Sequence, residues 1–179
     1  EIACNYARME NAIAVLSDLR NHASYIYYGR FSQMLGAGNR KKEGKVSSIW
    51  EDDIFGLIHP DDLASKHLQE LRFFHFIKSQ PRRRRYDYYL TSKLRMRNAA
   101  NSYIPVLHRM FYISAPCDDT LWLALCLYNP LVFEMSAKCV IIDSVNGRTT
   151  ALDGYNDTTI LSVREKQVLM LIDKGLTSK

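Results

Sequence analysis

The sequence predicts an α+β protein built on an antiparallel sheet, and three observations support this fold class. Two short strand-like runs stand near the N-terminus. A long helix is predicted between Pro60 and Pro81, and three long strand-like runs joined by short polar turns follow it. Consecutive strands with short turns are typical of an antiparallel meander, which must bury one face. We therefore expect the helices to cover one face of the sheet.

The composition is that of a folded protein with a buried core. Of the 179 residues, 47% are apolar and 24% are charged, which is close to the average for globular domains. The net charge is +5, and most of it comes from Arg82–Arg85, so the basic balance is weak evidence for nucleic acid. The longest apolar stretch, Leu121–Phe133, is broken by Asn129 and Pro130 and is too short to span a bilayer. We expect a cytoplasmic protein with no membrane partner.

No sequence pattern indicates catalysis, a metal site or a cofactor. Cys4, Cys117, Cys126 and Cys139 lack the paired spacing of a zinc or redox motif, so they are predicted to be free thiols. His59 has no second ligand at a helical spacing, which favours a capping histidine over a metal ligand. No nucleophile–base motif is present. We therefore predict no enzyme activity, no catalytic residue, no metal and no cofactor.

The N-terminal stretch allows two interpretations. Ile2, Tyr6, Met9, Ile13 and Leu16 are spaced by four, three, four and three residues, which favours a helix. The β-branched residues that follow could equally end a strand. We predict that both elements are present and that a second strand comes after a loop, with the bounds of helix to about Met9, strand Ala12–Asp18 and strand Ser24–Gly29.

The middle of the chain is predicted to hold one short helix, a loop, a second short helix and the long helix. Phe31–Leu35 forms a helical turn, and the glycine- and lysine-rich segment after it lacks the spacing of a Walker phosphate loop, so we expect a solvated loop. Pro60 suits the first position of the long helix, and Asp61 and Asp62 place negative charge at its positive end. Its predicted apolar face carries Leu63, His67, Leu68, Leu71, Phe74 and Ile77.

Two features lie beside the meander. The Arg82–Arg85 run either contacts DNA phosphate or a partner, or is a solvated connector, and adjacent like charges favour the solvated connector. Farther on, Asn146 and Gly147 separate two β-branched runs, Lys138–Val145 and Arg148–Leu152. An Asn-Gly pair in this setting predicts a β-hairpin.

The final stretch, Leu161–Lys179, predicts a capped helix, a short turn and the start of a second helix. Ser162 with Glu165 three residues later matches a capping box, and apolar residues then recur on one helical face. Gly175 stands where a helix end favours a positive φ, and Thr177 is a good cap for a following helix. This order is that of a helix-turn-helix opening.

The same stretch resembles, through Leu161–Glu165 and Gly175–Lys179, the first helix and turn of LuxR-type (FixJ/NarL-type) transcription regulators. The resemblance implies a four-helix domain whose third helix enters the major groove of DNA, and the chain would stop before that helix. It assigns Thr177, Ser178 and Lys179 to the DNA-binding surface. The alternative is an amphipathic helix that packs on the preceding domain.

The order of elements over residues 12–130 resembles that of a PAS domain. The resemblance is closest in Leu57–Leu63, where a His-Pro-Asp-Asp run precedes the long helix. It implies a five-stranded antiparallel sheet with helices on one face and a sensory function. A ligand pocket would lie between the sheet and the long helix, and ordinary core packing is the alternative for each of its candidate liners, which are Phe74, Met96, Met110 and Trp122.

These patterns predict three segments. Residues 1–132 form a PAS-like sensor domain with a short N-terminal helix, residues 133–157 form a β-hairpin linker, and residues 158–179 begin a LuxR-type DNA-binding domain. The first hypothesis is a transcription regulator that senses a small molecule or partner, forms a homodimer and binds DNA. The second is a PAS sensory or scaffolding module that acts through protein contacts without binding DNA.

Overall fold

An eight-stranded antiparallel sheet organises the chain in the computed structural model, which describes residues 1–37 and 43–152. The helices are α1 (Ile2–Met9), α2 (Phe31–Met34), α3 (Asp52–Phe55) and α4 (Pro60–Ser79). The strands are β1 (Ile13–Asp18), β2 (Ala23–Tyr28), β3 (Glu43–Val46), β4 (Tyr88–Arg97), β5 (Tyr103–Ser114), β6 (Leu121–Pro130), β7 (Cys139–Asp143) and β8 (Thr149–Ala151). Their order across the sheet is β3-β2-β1-β6-β5-β4-β7-β8. Within the described ranges, no helix is both long enough and apolar enough to cross a membrane.

The prediction of helices on one face of the sheet is wrong, because α1 covers the opposite face from α4. Ala3 and Ala7 of α1 are buried against Ala14, Leu125 and Leu127. The helix can lie there because its small alanine side chains let the backbone approach the sheet. The predicted helix and strand are nevertheless both present, since α1 ends at Met9 and β1 begins at Ile13.

The long helix begins and ends where the sequence predicts. His59 is its N-cap and its Nδ1 accepts a hydrogen bond from the backbone N–H of Asp61 at 3.3 Å, while Pro60 occupies the first turn. The predicted apolar face is only partly correct, because Leu63, Phe74 and Ile77 pack in or against the core whereas Leu68 and Leu71 are 42% and 38% exposed. The buried face of α4 is largely polar and carries Asp62, Lys66, Gln69, Arg72, Phe73 and Ile77. Asp62 and Arg72 have partners outside the helix, in Arg95 of β4 and the carbonyl of Leu152, whereas Lys66 pairs with Glu70 of the same helix.

The sheet has three strands more than the five that the PAS resemblance implies. One is β3, which lies in a segment predicted to be a loop and pairs with β2 from Ser24 opposite Val46 to Tyr27 opposite Glu43. The other two are β7 and β8, the predicted hairpin, with Gly147 at φ +72° in its turn. The hairpin extends the sheet, because β7 pairs antiparallel with β4.

Arg82 and Arg85 bind backbone carbonyls, whereas Arg83 between them is exposed, so the Arg82–Arg85 run is only in part a solvated connector. It forms a 3-10 turn after α4. The guanidinium of Arg82 donates to the carbonyls of Ala115 and Pro116, both at 2.6 Å. Arg85 is 4% exposed and donates to the carbonyl of Gln80 at 3.2 Å and to that of Asp119 at 2.8 Å. These bonds join the end of α4 to the β5–β6 turn.

Replacing Arg85 by Ala is expected to lower the free energy of unfolding by about 2–3 kcal/mol, because several charge-assisted hydrogen bonds are lost and buried carbonyls are left without donors. The matched control is Arg83→Ala in the same turn, where the side chain is exposed and the change should stay within about 0.5 kcal/mol. Urea unfolding of both variants measures the difference. Equal effects for the two arginines would contradict this role of Arg85.

Candidate functional site

A group of buried polar side chains lies between α4 and the inner face of the sheet, and we call it the polar cluster. The inner face of each strand is set by alternation, so that Ser17, Ser24, Ser92, His108 and Cys126 stand on the same face as the main apolar core. Helix α4 and the residue before α3 supply the opposing groups. The cluster consists of Ser17, Ser24, Glu51, Lys66, Glu70, Ser92, His108 and Cys126.

Lys66 and Glu70 form an ion pair one helical turn apart on α4. The Lys66 Nζ lies 2.8 Å from Glu70 Oε1, and the two side chains are 3% and 16% exposed. The same ammonium lies 4.8 Å from the centre of the Phe55 ring. Taking two charges out of water is costly unless each has a partner. Here each charge is the partner of the other, and the Phe55 ring covers the ammonium.

His108 stands on β5 directly opposite Ser92 of β4 and is fully buried. Its Nδ1 lies 3.0 Å from Ser92 Oγ, and its Nε2 lies 3.4 Å from Glu70 Oε1. The Nε2 has no hydrogen-bond partner among the residues that the structure describes. Burial, together with the nearby charge of Lys66, lowers the pKa of His108 well below its ordinary value, so the ring is neutral at pH 7.

Cys126 on β6 completes the group around the Glu70 carboxylate. Its Sγ lies 4.0 Å from Glu70 Oε1. Burial and the negative charge of Glu70 raise the pKa of the Cys126 thiol well above its ordinary value, so the sulfur carries its proton at pH 7. Burial also raises the pKa of the neighbouring Tyr112 and Tyr128 hydroxyls.

Glu51 forms the other end of the polar cluster, beneath β1 and β2. Its Oε1 accepts hydrogen bonds from Ser17 Oγ at 3.1 Å and from Ser24 Oγ, and these two serines face each other across the strand pair. Burial raises the pKa of Glu51, although the two hydroxyls and the charge of Lys66 oppose that rise. Lys66 is therefore close enough to act on both carboxylates.

Asp62 fixes the N-terminal end of α4 to the sheet. The carboxylate is 3% exposed and accepts from Arg95 Nε at 2.8 Å, from the Arg95 backbone N–H at 2.9 Å and from Lys138 Nζ at 3.1 Å. Burial alone would raise the pKa of Asp62, but the hydrogen bonds from Arg95 and Lys138 outweigh it and hold the pKa well below its ordinary value. The His-Pro-Asp-Asp run thus both caps α4 and ties it to β4.

The four predicted pocket residues do not form one site. Met96 and Met110 are buried in the main core, with Met110 opposite Cys126 in the β5–β6 pair. Phe74 lines a surface cleft of about 380 Å³ together with Leu19 and Leu121. Trp122 lies at the irregularity in the pairing of β5 with β6, and its side chain hydrogen-bonds to Asp18. The β-bulge turns this residue out of the regular alternation.

The predicted DNA-binding residues Thr177, Ser178 and Lys179 lie outside the residues that the structure describes. The segment of residues 158–179 as a whole lies outside them too. Its assignment to a DNA-binding domain therefore rests on the sequence alone.

No sequence pattern predicts Glu70, His108 and Cys126 as a group. His108 follows Glu70 by 38 residues and Cys126 follows His108 by 18, so no local spacing relates them. A usable signal was the second stripe of α4, in which Asp62, Lys66, Gln69, Phe73 and Ile77 recur at helical spacing. The stripe that contains Leu68 and Leu71 is more apolar and therefore conceals this signal.

Comparison with known proteins gives structural similarity at low identity. No protein-family model matches the sequence, and no curated protein matches it. The fold is similar to a sensory box histidine kinase/response regulator from Burkholderia thailandensis E264, with 14% identity, a TM-score of 0.44 and coverage of 69% of this chain and 79% of that one. It is also similar to the PAS-B domain of Drosophila melanogaster Cycle, crystallised with ethylene glycol, at 12% identity and a TM-score of 0.41, covering 66% of this chain and 99% of that one. Similarity at this level assigns neither family membership nor function.

Proposed function

We propose that the chain is the sensory part of a transcription regulator, in which a PAS-like core controls a C-terminal LuxR-type DNA-binding domain. One contact in the structure supports a coupling between the PAS-like core and the C-terminal segment. Arg72 Nη1 donates to the backbone carbonyl of Leu152 at 3.4 Å, and Leu152 is fully buried. This contact joins the helix that carries Lys66 and Glu70 to the residue from which the chain continues toward the proposed DNA-binding segment.

The coupling follows from the geometry of α4. Glu70 and Arg72 are two residues apart on α4, so a movement of the helix that changes the contacts of Glu70 also moves the guanidinium at Leu152. A signal can shift such an equilibrium only by binding one arrangement better than the other. The polar cluster is a suitable place for a signal to distinguish two arrangements. A buried charge pair tolerates few geometries, so a ligand that fits one of them binds the other poorly.

The DNA-binding step rests on the sequence of Leu161–Lys179. In a LuxR-type domain, Thr177 and Ser178 would begin the second helix and Lys179 would stand at its positive N-terminal end. There a lysine contacts backbone phosphate, which positions the protein on the duplex without reading the base sequence. Base recognition would belong to the third helix of that domain.

The test is DNA binding by the full-length gene product across a salt series, compared with a version ended at Asp157. The affinity of the full-length protein is expected to fall linearly on a log–log plot with a slope of about −0.9 per phosphate contact. The shortened version is expected to show little affinity at any salt concentration. Equal affinities of the two would overturn the proposal.

A second candidate is a sensory or scaffolding module that acts through protein contacts, and the outer face of α1 favours it. Ile2 and Met9 are 73% and 76% exposed, and Tyr6 is 37% exposed, so the helix presents apolar side chains away from the sheet. Under this alternative, Ile2→Glu with Met9→Glu should abolish self-association in sedimentation velocity runs, and DNA affinity should be absent. If wild type and variant sediment alike as monomers, this candidate is wrong.

A further inference from the structure

Three side chains of the polar cluster converge on one point in the core. Oε1 of Glu70, Nε2 of His108 and Sγ of Cys126 all lie within 4.8 Å of one another. We propose that Glu70, His108 and Cys126 bind a divalent transition-metal ion of the Zn²⁺ type between α4 and the sheet. The proposal stands on the described core and does not depend on DNA binding, so either proposal can fail without the other.

The distances fit such an ion with small movements. In tetrahedral zinc sites the ligand atoms lie about 2.0–2.3 Å from the metal, which places pairs of ligand atoms roughly 3.3–3.8 Å apart. Here the carboxylate oxygen is 3.4 Å from the imidazole nitrogen and 4.0 Å from the sulfur. The imidazole nitrogen and the sulfur lie within 4.8 Å of each other, so side-chain shifts of about 1 Å on α4 and β6 would bring all three atoms to coordination distance.

The unpartnered nitrogen of His108 is an independent sign of a ligand. When Nδ1 donates its proton to Ser92 Oγ at 3.0 Å, the Nε2 lone pair faces the Glu70 carboxylate. Two acceptors facing each other in a buried site are unfavourable unless a cation lies between them. The opposite tautomer would point an N–H toward Glu70, yet the two groups do not have hydrogen-bond geometry although their atoms lie 3.4 Å apart. A histidine fixed through its other nitrogen is also typical of metal ligands.

Lys66 is the group that competes with the metal for Glu70. An ammonium cannot coordinate a metal, and this one lies 2.8 Å from the carboxylate oxygen that the ion would need. When Glu70 turns to the metal, the ammonium keeps its contact with the Phe55 ring, 4.8 Å from the ring centre, and Glu51 is a second carboxylate within the range of its charge. The two charges of the ion would be balanced by the Glu70 carboxylate and the Cys126 thiolate, whose proton leaves to solvent on binding.

The ligand set indicates which metals the site takes. A thiolate with an imidazole and one carboxylate suits Zn²⁺ and its borderline neighbours, whereas Mg²⁺ and Ca²⁺ prefer oxygen ligands throughout. Three protein ligands leave one tetrahedral position for water or a small ligand. The site would therefore be open in the manner of a reactive or sensing site.

The test is anaerobic titration of the 179-residue chain with Co²⁺ as a spectroscopic probe, followed by competition with Zn²⁺. The wild-type chain is expected to develop thiolate-to-cobalt charge-transfer absorption, which Zn²⁺ removes and excess Mg²⁺ does not. Cys126→Ser should lose this absorption, whereas the control Cys117→Ser, which removes an exposed thiol, should keep it. Absence of the absorption in wild type, or its loss only in Cys117→Ser, would overturn the proposal.

Two further variants keep the test decisive if Cys126→Ser does not fold. Glu70→Gln keeps the size of the side chain and an oxygen that can accept a hydrogen bond from Lys66, so this variant should fold, and it is expected to weaken Co²⁺ binding by more than about tenfold. Ser92→Ala removes only the hydrogen-bond partner of His108 and should weaken binding by about tenfold. Circular dichroism checks the fold of each. Unchanged Co²⁺ affinity in folded Glu70→Gln would overturn the site.

Discussion

Replacing Lys66 by Met is expected to lower the free energy of unfolding by about 3–5 kcal/mol, the usual loss when one partner of a buried ion pair is removed. Glu70 would keep its buried position without a cation, and Glu51, which is 6% exposed, would lose the charge that opposes its protonation. Chemical denaturation at pH 7 measures the change. Lys78→Met is the matched control, because Lys78 lies on the same helix and is exposed.

The same experiment separates the charge from the shape of the side chain. In the double variant Lys66→Met with Glu70→Leu, both members of the pair are replaced by apolar groups, and most of the lost stability should return. A loss below about 1 kcal/mol for Lys66→Met alone, in the range of exposed ion pairs, would mean that the pair is solvated and that the polar cluster is not a buried site.

Replacing Asp62 by Asn is expected to lower the free energy of unfolding by about 2–4 kcal/mol at pH 7, because one buried carboxylate accepts the hydrogen bonds of Arg95 and Lys138. The pKa of Asp62 is lower in the folded chain than in the unfolded chain. Its contribution is therefore present above the unfolded pKa, near 4, and is lost as the pH falls through the folded pKa. The difference in free energy of unfolding between wild type and Asp62→Asn should therefore become smaller below about pH 4.

Asp61→Asn is the control for this prediction. Asp61 is the adjacent residue in the same helical turn, and its side chain is 79% exposed, so its removal should cost no more than about 1 kcal/mol. Urea unfolding of both variants between pH 3 and pH 7 gives the comparison. If the difference in free energy of unfolding between wild type and Asp62→Asn does not change with pH, the charge of the Asp62 carboxylate does not attach α4 to the sheet.

The sequence predicts the start of α4 and the β7–β8 turn correctly because both depend on residues that are neighbours in the chain. Pro60 and His59 marked the start of α4 by satisfying its first turn, and the Asn-Gly pair marked the β7–β8 turn because Gly147 accepts a positive φ. The strand β3 was missed because its lysine- and glycine-rich sequence has no strand propensity. It forms through pairing with β2, and such pairing is a tertiary effect that propensity does not register.

The polar cluster could not be predicted from periodicity, since the two stripes of α4 differ in what they contact. Leucines at 68 and 71 suggested an apolar face, but the strands opposite α4 present His108, Ser92 and the Cys126 thiol. Polar residues on a helix can be buried when the opposing surface offers partners. That surface is assembled from strands far apart in the chain, so only the tertiary structure shows which face turns inward.

The proposed coupling between the polar cluster and Leu152, the residue after β8, is tested most directly by native-state hydrogen exchange in Glu70→Gln. The strands β8 and β3 lie at opposite edges of the same sheet, and Arg72 contacts the chain only one residue after β8. The expected result is faster exchange at β8 with β3 unchanged, because a movement of α4 that follows the loss of the Glu70 charge also moves Arg72. Unchanged exchange at β8, or equal acceleration at both edges, would contradict the coupling.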